Sequence, residues 1–161
     1  MDDLKKQGII TIVSVVLVSF VGELFGVNKL NIFYSAATCV VVTNVHFNEL
    51  RSASINRAIG TVIGGVIGIL FSYFDSSLFF KIIVGEIIII LICEKKLKIP
   101  SAVASLIFLS IIYKLTSKTP IYYGLDRIIN TFIGILVTYF ITSIFIKFED
   151  DIDRLLKFFK L

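Results

Sequence analysis

Six long apolar stretches, separated by short charged segments, constrain this chain more than any other feature of its sequence. Each is close to the length of about 20 helical residues that crosses the hydrocarbon core of a bilayer. With 57% hydrophobic and 17% charged residues, the chain has too little polar surface for a water-soluble domain. We therefore predict an all-α integral membrane protein with transmembrane helices at residues 8–27, 31–47, 58–74, 78–93, 99–113 and 125–146.

Helices are favoured over strands although β-branched residues are frequent, as in the isoleucine run 87–90. An open strand leaves backbone polar groups unpaired in lipid, and the alternating pattern of a membrane barrel is missing. The stretches 78–93 and 99–113 are short, so a four-span arrangement stays open beside the six-span one. We predict a six-helix domain over residues 1–147. Residues 148–161 form either a cytoplasmic amphipathic tail helix or a continuation of the sixth span.

The distribution of Lys and Arg predicts the orientation of the chain in the lipid bilayer. With the amino terminus inside, eleven of the 16 basic residues fall in inner segments and five in outer segments. Basic residues favour the cytoplasmic side of a membrane. We therefore predict a multi-pass protein of the inner (plasma) membrane with both termini in the cytoplasm.

A short motif occurs twice in the chain. The octapeptide RAIGTVIG, from Arg57 to Gly64, and the octapeptide RIINTFIG, from Arg127 to Gly134, agree at five of eight positions. Three predicted crossings separate the two copies, so the second copy is inverted relative to the first. We therefore predict two inverted three-helix repeats, at about residues 8–74 and 78–146, an organisation typical of transporters.

The repeated motif also supplies the candidate substrate site. Arg57 and Arg127 each begin a predicted span, where a helix amino terminus favours anions, and Thr61 and Thr131 follow one turn later on the same face. We predict that these four residues line the path of an organic anion. The alternatives are that the arginines extend to lipid headgroups and that each hydroxyl bonds to its own helix.

Other candidate residues lie inside the predicted spans. Glu86 falls near the middle of the fourth span, where a charge is costly, and is a candidate for proton coupling. Gly60, Gly64 and Gly68 form a stripe of small residues that, with Gly134, indicates close helix packing. We predict that the stripe packs on the sixth span or on its own copy in a second subunit.

Several functional classes are excluded by what the sequence lacks. The single histidine, His46, lies in a predicted inner loop, so no catalytic triad can be assembled and no multi-histidine metal site is available. We predict no enzyme activity, no catalytic residues, no metal and no cofactor. The basic residues separate apolar segments and do not form a basic face, so we predict no nucleic-acid partner.

The motifs resemble those of a known family. The stretch NRAIGTVIGGVIG at 56–68, preceded by YSAAT at 34–38, resembles the aromatic acid exporter family of the fusaric-acid-resistance-like group. The stretch DRIINTFIG at 126–134 is similar to its second signature. The resemblance implies a bacterial six-helix module for efflux of aromatic carboxylic acids such as hydroxybenzoates, with Arg57 and Arg127 contacting the anion.

The resemblance has further implications for assembly. The group is also similar to plant aluminium-activated malate transporters, which are dimeric anion channels, and this implies a homodimer. Many members carry a further cytoplasmic domain or membrane module, which implies a possible cytoplasmic partner. The alternative function is a non-transporting membrane module that assembles a partner complex through its glycine stripes and its tail.

Overall fold

The computed structural model describes residues 3–114 and 118–148, and all regular secondary structure in these ranges is helical. The helices are α1 (Asp3–Leu24), α2 (Lys29–Val42), α3 (Phe47–Ser72), α4 (Leu78–Ile90), α5 (Ala102–Ile112) and α6 (Pro120–Lys147), and α4 continues as a π-helix (Leu91–Leu97). The predicted all-α class is confirmed. Nearly all of the tail predicted at 148–161 lies outside the described residues.

Three of the helices are long and apolar enough to cross a membrane: α1 with 22 residues, α3 with 26 and α6 with 28. The helices α2 and α5 are apolar but have only 14 and 11 residues. Every predicted span coincides with a helix, while six complete crossings stay a prediction.

Four helices, α1, α2, α3 and α6, begin earlier than the predicted spans, and for α3 and α6 the difference concerns the repeated motif. The helix α3 begins at Phe47, with Glu49 in its first turn, where a carboxylate interacts favourably with the helix dipole. The helix α6 begins at Pro120, a residue favoured at the first helical position. The α3 segment before residue 58 is largely polar and charged, and the α6 segment before residue 125 (PIYYG, 120–124) contains Pro and Gly, which are typical of loops. The predicted starts at residues 58 and 125 were therefore too late.

The chain forms two compact units. Of the described residues, the first unit contains 3–54 and 133–148, and the second contains 55–114 and 118–132, so α3 and α6 contribute one part to each unit. In the first unit α1 and α2 form an antiparallel hairpin, with Gly22 against Ile32 at one end and the Gln7 side chain donating to the Thr43 carbonyl, 2.9 Å away, at the other. Gly26, with a φ of +65°, forms the turn between them.

The helix α6 completes the first unit. Gly134 lies against Ser35 and Thr38 of α2, where a side chain at its position would collide with the α2 backbone. Ile10 of α1 packs with Ile141 and Phe145 near the end of α6. The start of α1 and the end of α6 therefore lie at the same end of this unit.

In the second unit, α3, α4 and α5 enclose a core formed by six buried residues: Ile67, Ile89, Cys93, Ala104, Phe108 and Ile112. Gly85 of α4 lies directly against the Phe108 ring. The absence of a side chain at this position lets α4 and α5 approach closely, beside the carboxylate of Glu86.

The glycine stripe of α3 also faces α5. Gly60, Gly64 and Gly68 lie against Val103, Ala104 and Ile111 in that order, so α3 and α5 run parallel. The prediction that this stripe packs on the sixth span or on a second copy was wrong. The helix α6 contacts a neighbouring face of α3, where Gly124 lies against Ile69.

Candidate anion site

The two threonines of the repeated motif contact each other in the second unit. The hydroxyl oxygens of Thr61 and Thr131 are 3.3 Å apart, and both residues are almost fully buried. Thr61 also donates a hydrogen bond to the Arg57 carbonyl oxygen at 2.8 Å. Because a hydroxyl has a single proton, Thr131 is the donor in the contact between the two threonines.

Arg57 is the most unusual residue of the site. It is only 9% exposed, its side chain forms no ion pair or hydrogen bond with the described residues, and its Nε is buried. Burial of an unpaired charge is strongly unfavourable, so buried charges in proteins are normally paired. The guanidinium of Arg57 is therefore suited to bind an anion.

Arg127 lies near enough to Arg57 for the two positive charges to repel each other. The carboxylate next to it in the chain, Asp126, is held in an ion pair with Lys118. The residue at the equivalent position beside Arg57 is the neutral Asn56. Because Asp126 is paired with Lys118, the two arginines give the described site an excess of positive charge.

The arginines do not lie at helix amino termini. Arg57 is ten residues after Phe47, and Arg127 is seven residues after Pro120, so the free N–H groups at each helix start are more than one turn away. The prediction that a helix dipole helps to bind the anion was therefore wrong. The positive charge of the site comes from the guanidinium groups themselves.

Glu86 lies elsewhere in the second unit, in the hairpin of α4 and α5. Its Oε2 accepts a hydrogen bond from the Ser105 hydroxyl at 2.6 Å, and its Oε1 is buried without a hydrogen bond to the described residues. Glu86 was predicted from its position in an apolar span. Ser105 was not, because one serine in an apolar helix carries no periodic signal.

Asn130 is a second residue that sequence reasoning missed. It precedes Thr131, is 5% exposed, and donates from its side chain to the Asp126 carbonyl at 2.6 Å. Gly60 occupies the equivalent position in the first repeat. Aligning the two motifs could have drawn attention to Asn130, because an amide side chain stands where the first motif has glycine.

A shallow apolar groove of about 270 Å³ lies on a different face of α3, beside α6. It is lined by Ala58, Ile59, Val62, Ile63 and Phe132, none of which has a polar side chain. The four α3 residues of the lining lie at other angular positions around the helix than Arg57 and Thr61, so the groove is on a different face. Its lining offers no group that would bind the charge of an anion.

His46 takes no part in the site. It is exposed in the first unit, where its Nε2 is 3.7 Å from an oxygen of Asp3. No group of three or more metal-ligating side chains occurs in the parts of the chain that the structure describes.

A family model described as fusaric acid resistance protein-like matches residues 9–141 of the chain. The chain belongs to this family. Neither a curated protein nor a solved structure gives a significant match. The family that the repeated motifs predicted is therefore confirmed, on a match that includes both motifs, four complete helices and most of α1 and α6.

The fusaric acid resistance protein-like family is a family of membrane transporters. Together with the three long apolar helices, this membership identifies the chain as a membrane protein with a transport-related function.

Proposed function

We propose that this protein exports aromatic or other organic carboxylate anions across the bacterial inner membrane, and that Arg57, Arg127, Thr61 and Thr131 line the path. The observation that carries the proposal is the buried guanidinium of Arg57, which has no partner among the described residues. A carboxylate is the natural ligand for a guanidinium, because its two oxygens accept two parallel hydrogen bonds.

The second arginine strengthens the electrostatic argument. Repulsion between Arg57 and Arg127 is relieved when an anion binds near both, so the pair favours an occupied site. The threonine hydroxyls supply neutral polar groups between them, which suits an anion that has to leave as well as enter. A site of this kind binds a carboxylate without holding it permanently.

Packing around the motifs supports an inverted repeat. Gly64 and Gly134 occupy equivalent positions of the two motifs, and each lies against the second helix of the other proposed repeat: Gly64 against α5 and Gly134 against α2. Inverted repeats allow a site to open to one side of the membrane and then to the other. This organisation fits a carrier better than a static scaffold.

The family description supports the proposed substrate class. Fusaric acid is an aromatic carboxylic acid, and resistance to a toxic acid is consistent with its removal from the cell. The homodimer that the resemblance implies stays a prediction.

The test is the flux of a hydroxybenzoate in proteoliposomes made with the wild-type chain and with Arg57→Gln and Arg127→Gln. We expect each substitution to reduce flux at least tenfold, because the charge that binds the carboxylate is lost. Arg57→Lys keeps the charge but not the bidentate geometry, and we expect it to retain part of the flux.

Arg51→Gln is the matched control, because Arg51 lies on α3 but is exposed. Its flux should equal that of the wild type. Unchanged flux in well-folded Arg57→Gln and Arg127→Gln would overturn the proposed site, and absence of flux from folded wild-type protein would overturn the transport function itself.

The alternative of a non-transporting assembly module makes a different prediction. Without an aqueous path, cysteines introduced at Thr61 and Thr131 would not react with a water-soluble thiol reagent in membranes. If there is a path, they react, and a bound hydroxybenzoate slows the reaction.

A further inference from the structure

The carboxyl group of Glu86 has surroundings that differ from those of the other acidic residues described. It lies near the middle of a continuous helical segment made of the 13 residues of α4 and the seven of the π-helix. Its Oε1 is buried without a hydrogen bond to the described residues, and Glu86 forms no ion pair with any of them. Acidic side chains inside membrane helices are rare and normally face protein or water.

None of the charged and titratable groups of the described helices forms an ion pair with Glu86. The helix α5, which supplies the Ser105 hydroxyl, contains none in its residues Ala102–Ile112. The part of α3 in this unit, residues 55–72, contains one charged residue, Arg57. Arg57 forms no ion pair with Glu86. The other such groups of the unit's described helices are Lys81, Cys93, Glu94, Lys95, Lys96, Tyr122, Tyr123, Asp126 and Arg127.

Ser105 is suited to both protonation states of this carboxyl group. The Ser105 hydroxyl lies 2.6 Å from Oε2; it can donate to an ionised carboxylate and, after rotation about its C–O bond, accept from a protonated one. The hydrogen bond therefore persists whether Glu86 holds a proton or not. Gly85 beside it allows the close approach of α5 that brings Ser105 within reach.

We propose that Glu86 and Ser105 form the proton-binding site that couples anion transport to the proton gradient. The carboxylate takes up one proton from water on one side of the membrane and releases the same proton to the other side, so no further reactant is needed. This inference depends on the proposed function for its role in transport, but the binding of a proton by Glu86 is testable separately.

The first measurement is infrared spectroscopy of the protein in lipid nanodiscs at a series of pH values. We expect a C=O stretching band of a protonated carboxyl group that is present in the wild type and absent in Glu86→Gln. In Ser105→Ala the band should remain but shift in frequency, because its hydrogen bond is lost. Glu23→Gln is the control, since Glu23 is exposed and its loss should leave this band unchanged.

The second measurement is hydroxybenzoate flux in proteoliposomes with and without a pH gradient. We expect the gradient to stimulate flux in the wild type and in Glu23→Gln, and the ratio of the two fluxes to fall to one in Glu86→Gln. Stimulation that persists in folded Glu86→Gln, or stimulation of the wild type by a sodium gradient alone, would overturn the coupling role.

The two measurements distinguish a failure of the proposed anion transport from a failure of the proposed proton site. If the wild type transports no anion, the proposed function fails, and the infrared band alone decides whether Glu86 binds a proton. If no band depends on Glu86 at any pH at which the protein stays folded, the proton site is wrong even where anion flux is present.

Discussion

The hydroxyl groups of Thr61 and Thr131 are 3.3 Å apart, so two residues 70 positions apart in the chain, and equivalent in its repeated motif, contact each other. The helices around them are antiparallel, since Gly124 of α6 meets Ile69 of α3 while Thr131 meets Thr61. Contact between a residue and its own equivalent is what a two-fold axis relating inverted repeats would produce. The contact is therefore compatible with the predicted inverted repeat, which itself stays a prediction.

The threonine pair should contribute measurably to stability. We expect Thr61→Val to lower the free energy of unfolding by about 0.5–1.5 kcal/mol, the range for side-chain hydrogen bonds between membrane helices. Because Thr131→Val removes the same bond, the double variant should be less destabilised than the sum of the single variants. Reversible unfolding in mixed micelles measures this coupling. Thr11→Val, which removes a hydroxyl bonded only to its own helix, is the control, and strictly additive effects would contradict the contact.

Two adjacent glycines of α3 should respond oppositely to alanine. A Cβ at Gly64 would collide with the backbone of Ala104, which cannot move aside as a side chain can, whereas a Cβ at Gly65 would meet no atom within 4 Å. We expect Gly64→Ala to destabilise the protein by about 1–3 kcal/mol, as overpacking does. Gly65→Ala should be neutral or slightly stabilising, because alanine has the higher helix propensity.

The melting temperature in detergent, measured for both glycine variants under the same conditions, distinguishes the two sites. Equal effects of the two substitutions would mean that α3 and α5 are not in the close contact described.

A buried hydroxyl in α6 is expected to reduce stability. Thr142 is fully buried, and its Oγ1 has no hydrogen bond to the described residues. Thr142→Val keeps the shape and removes the unsatisfied group, so we expect the free energy of unfolding to rise by about 1 kcal/mol. Thr138, one turn earlier, is equally buried but donates to the Gly134 carbonyl at 2.9 Å, so Thr138→Val should lower stability. A loss of stability in Thr142→Val would show that its hydroxyl has a partner in the membrane.

The positions of the helices could be predicted from sequence because apolar run length alone determines what fits a bilayer. The helix starts at Phe47 and Pro120 could not. The turns before Arg57 are largely polar, and the segment before Arg127 contains Pro120 and Gly124, which are typical of loops. This error also produced the mistaken helix-dipole argument for the two arginines.

The candidate site was predictable only in part. The repeated motif identified Thr61 and Thr131 as equivalent, but not that they touch, because contact depends on how α3 crosses α6. The partner of the glycine stripe was missed for a similar reason: small residues show that a helix approaches closely, and do not specify which one. Ser105 reaches Glu86 because Gly85 and Phe108 bring α4 and α5 together, a contact that the sequence does not specify.

The orientation of the chain is open to a direct test. Asp3 lies near His46, and Gln7 bonds to Thr43, so the start of α1 and the loop before α3 are on one side of the first unit. If α3 crosses the membrane, the loop after it is on the other side. The excess of Lys and Arg predicts that the first side is cytoplasmic.

We expect a membrane-impermeant maleimide to label Asp75→Cys in intact cells and Asn48→Cys only in inverted vesicles. Both positions are exposed, and the buried natural thiols of Cys39 and Cys93 are first replaced by alanine to give a silent background. Labelling of Asn48→Cys from outside would reverse the orientation. Labelling of both positions from the same side would mean that α3 does not span the bilayer, and Arg57 would then lie outside any path through it.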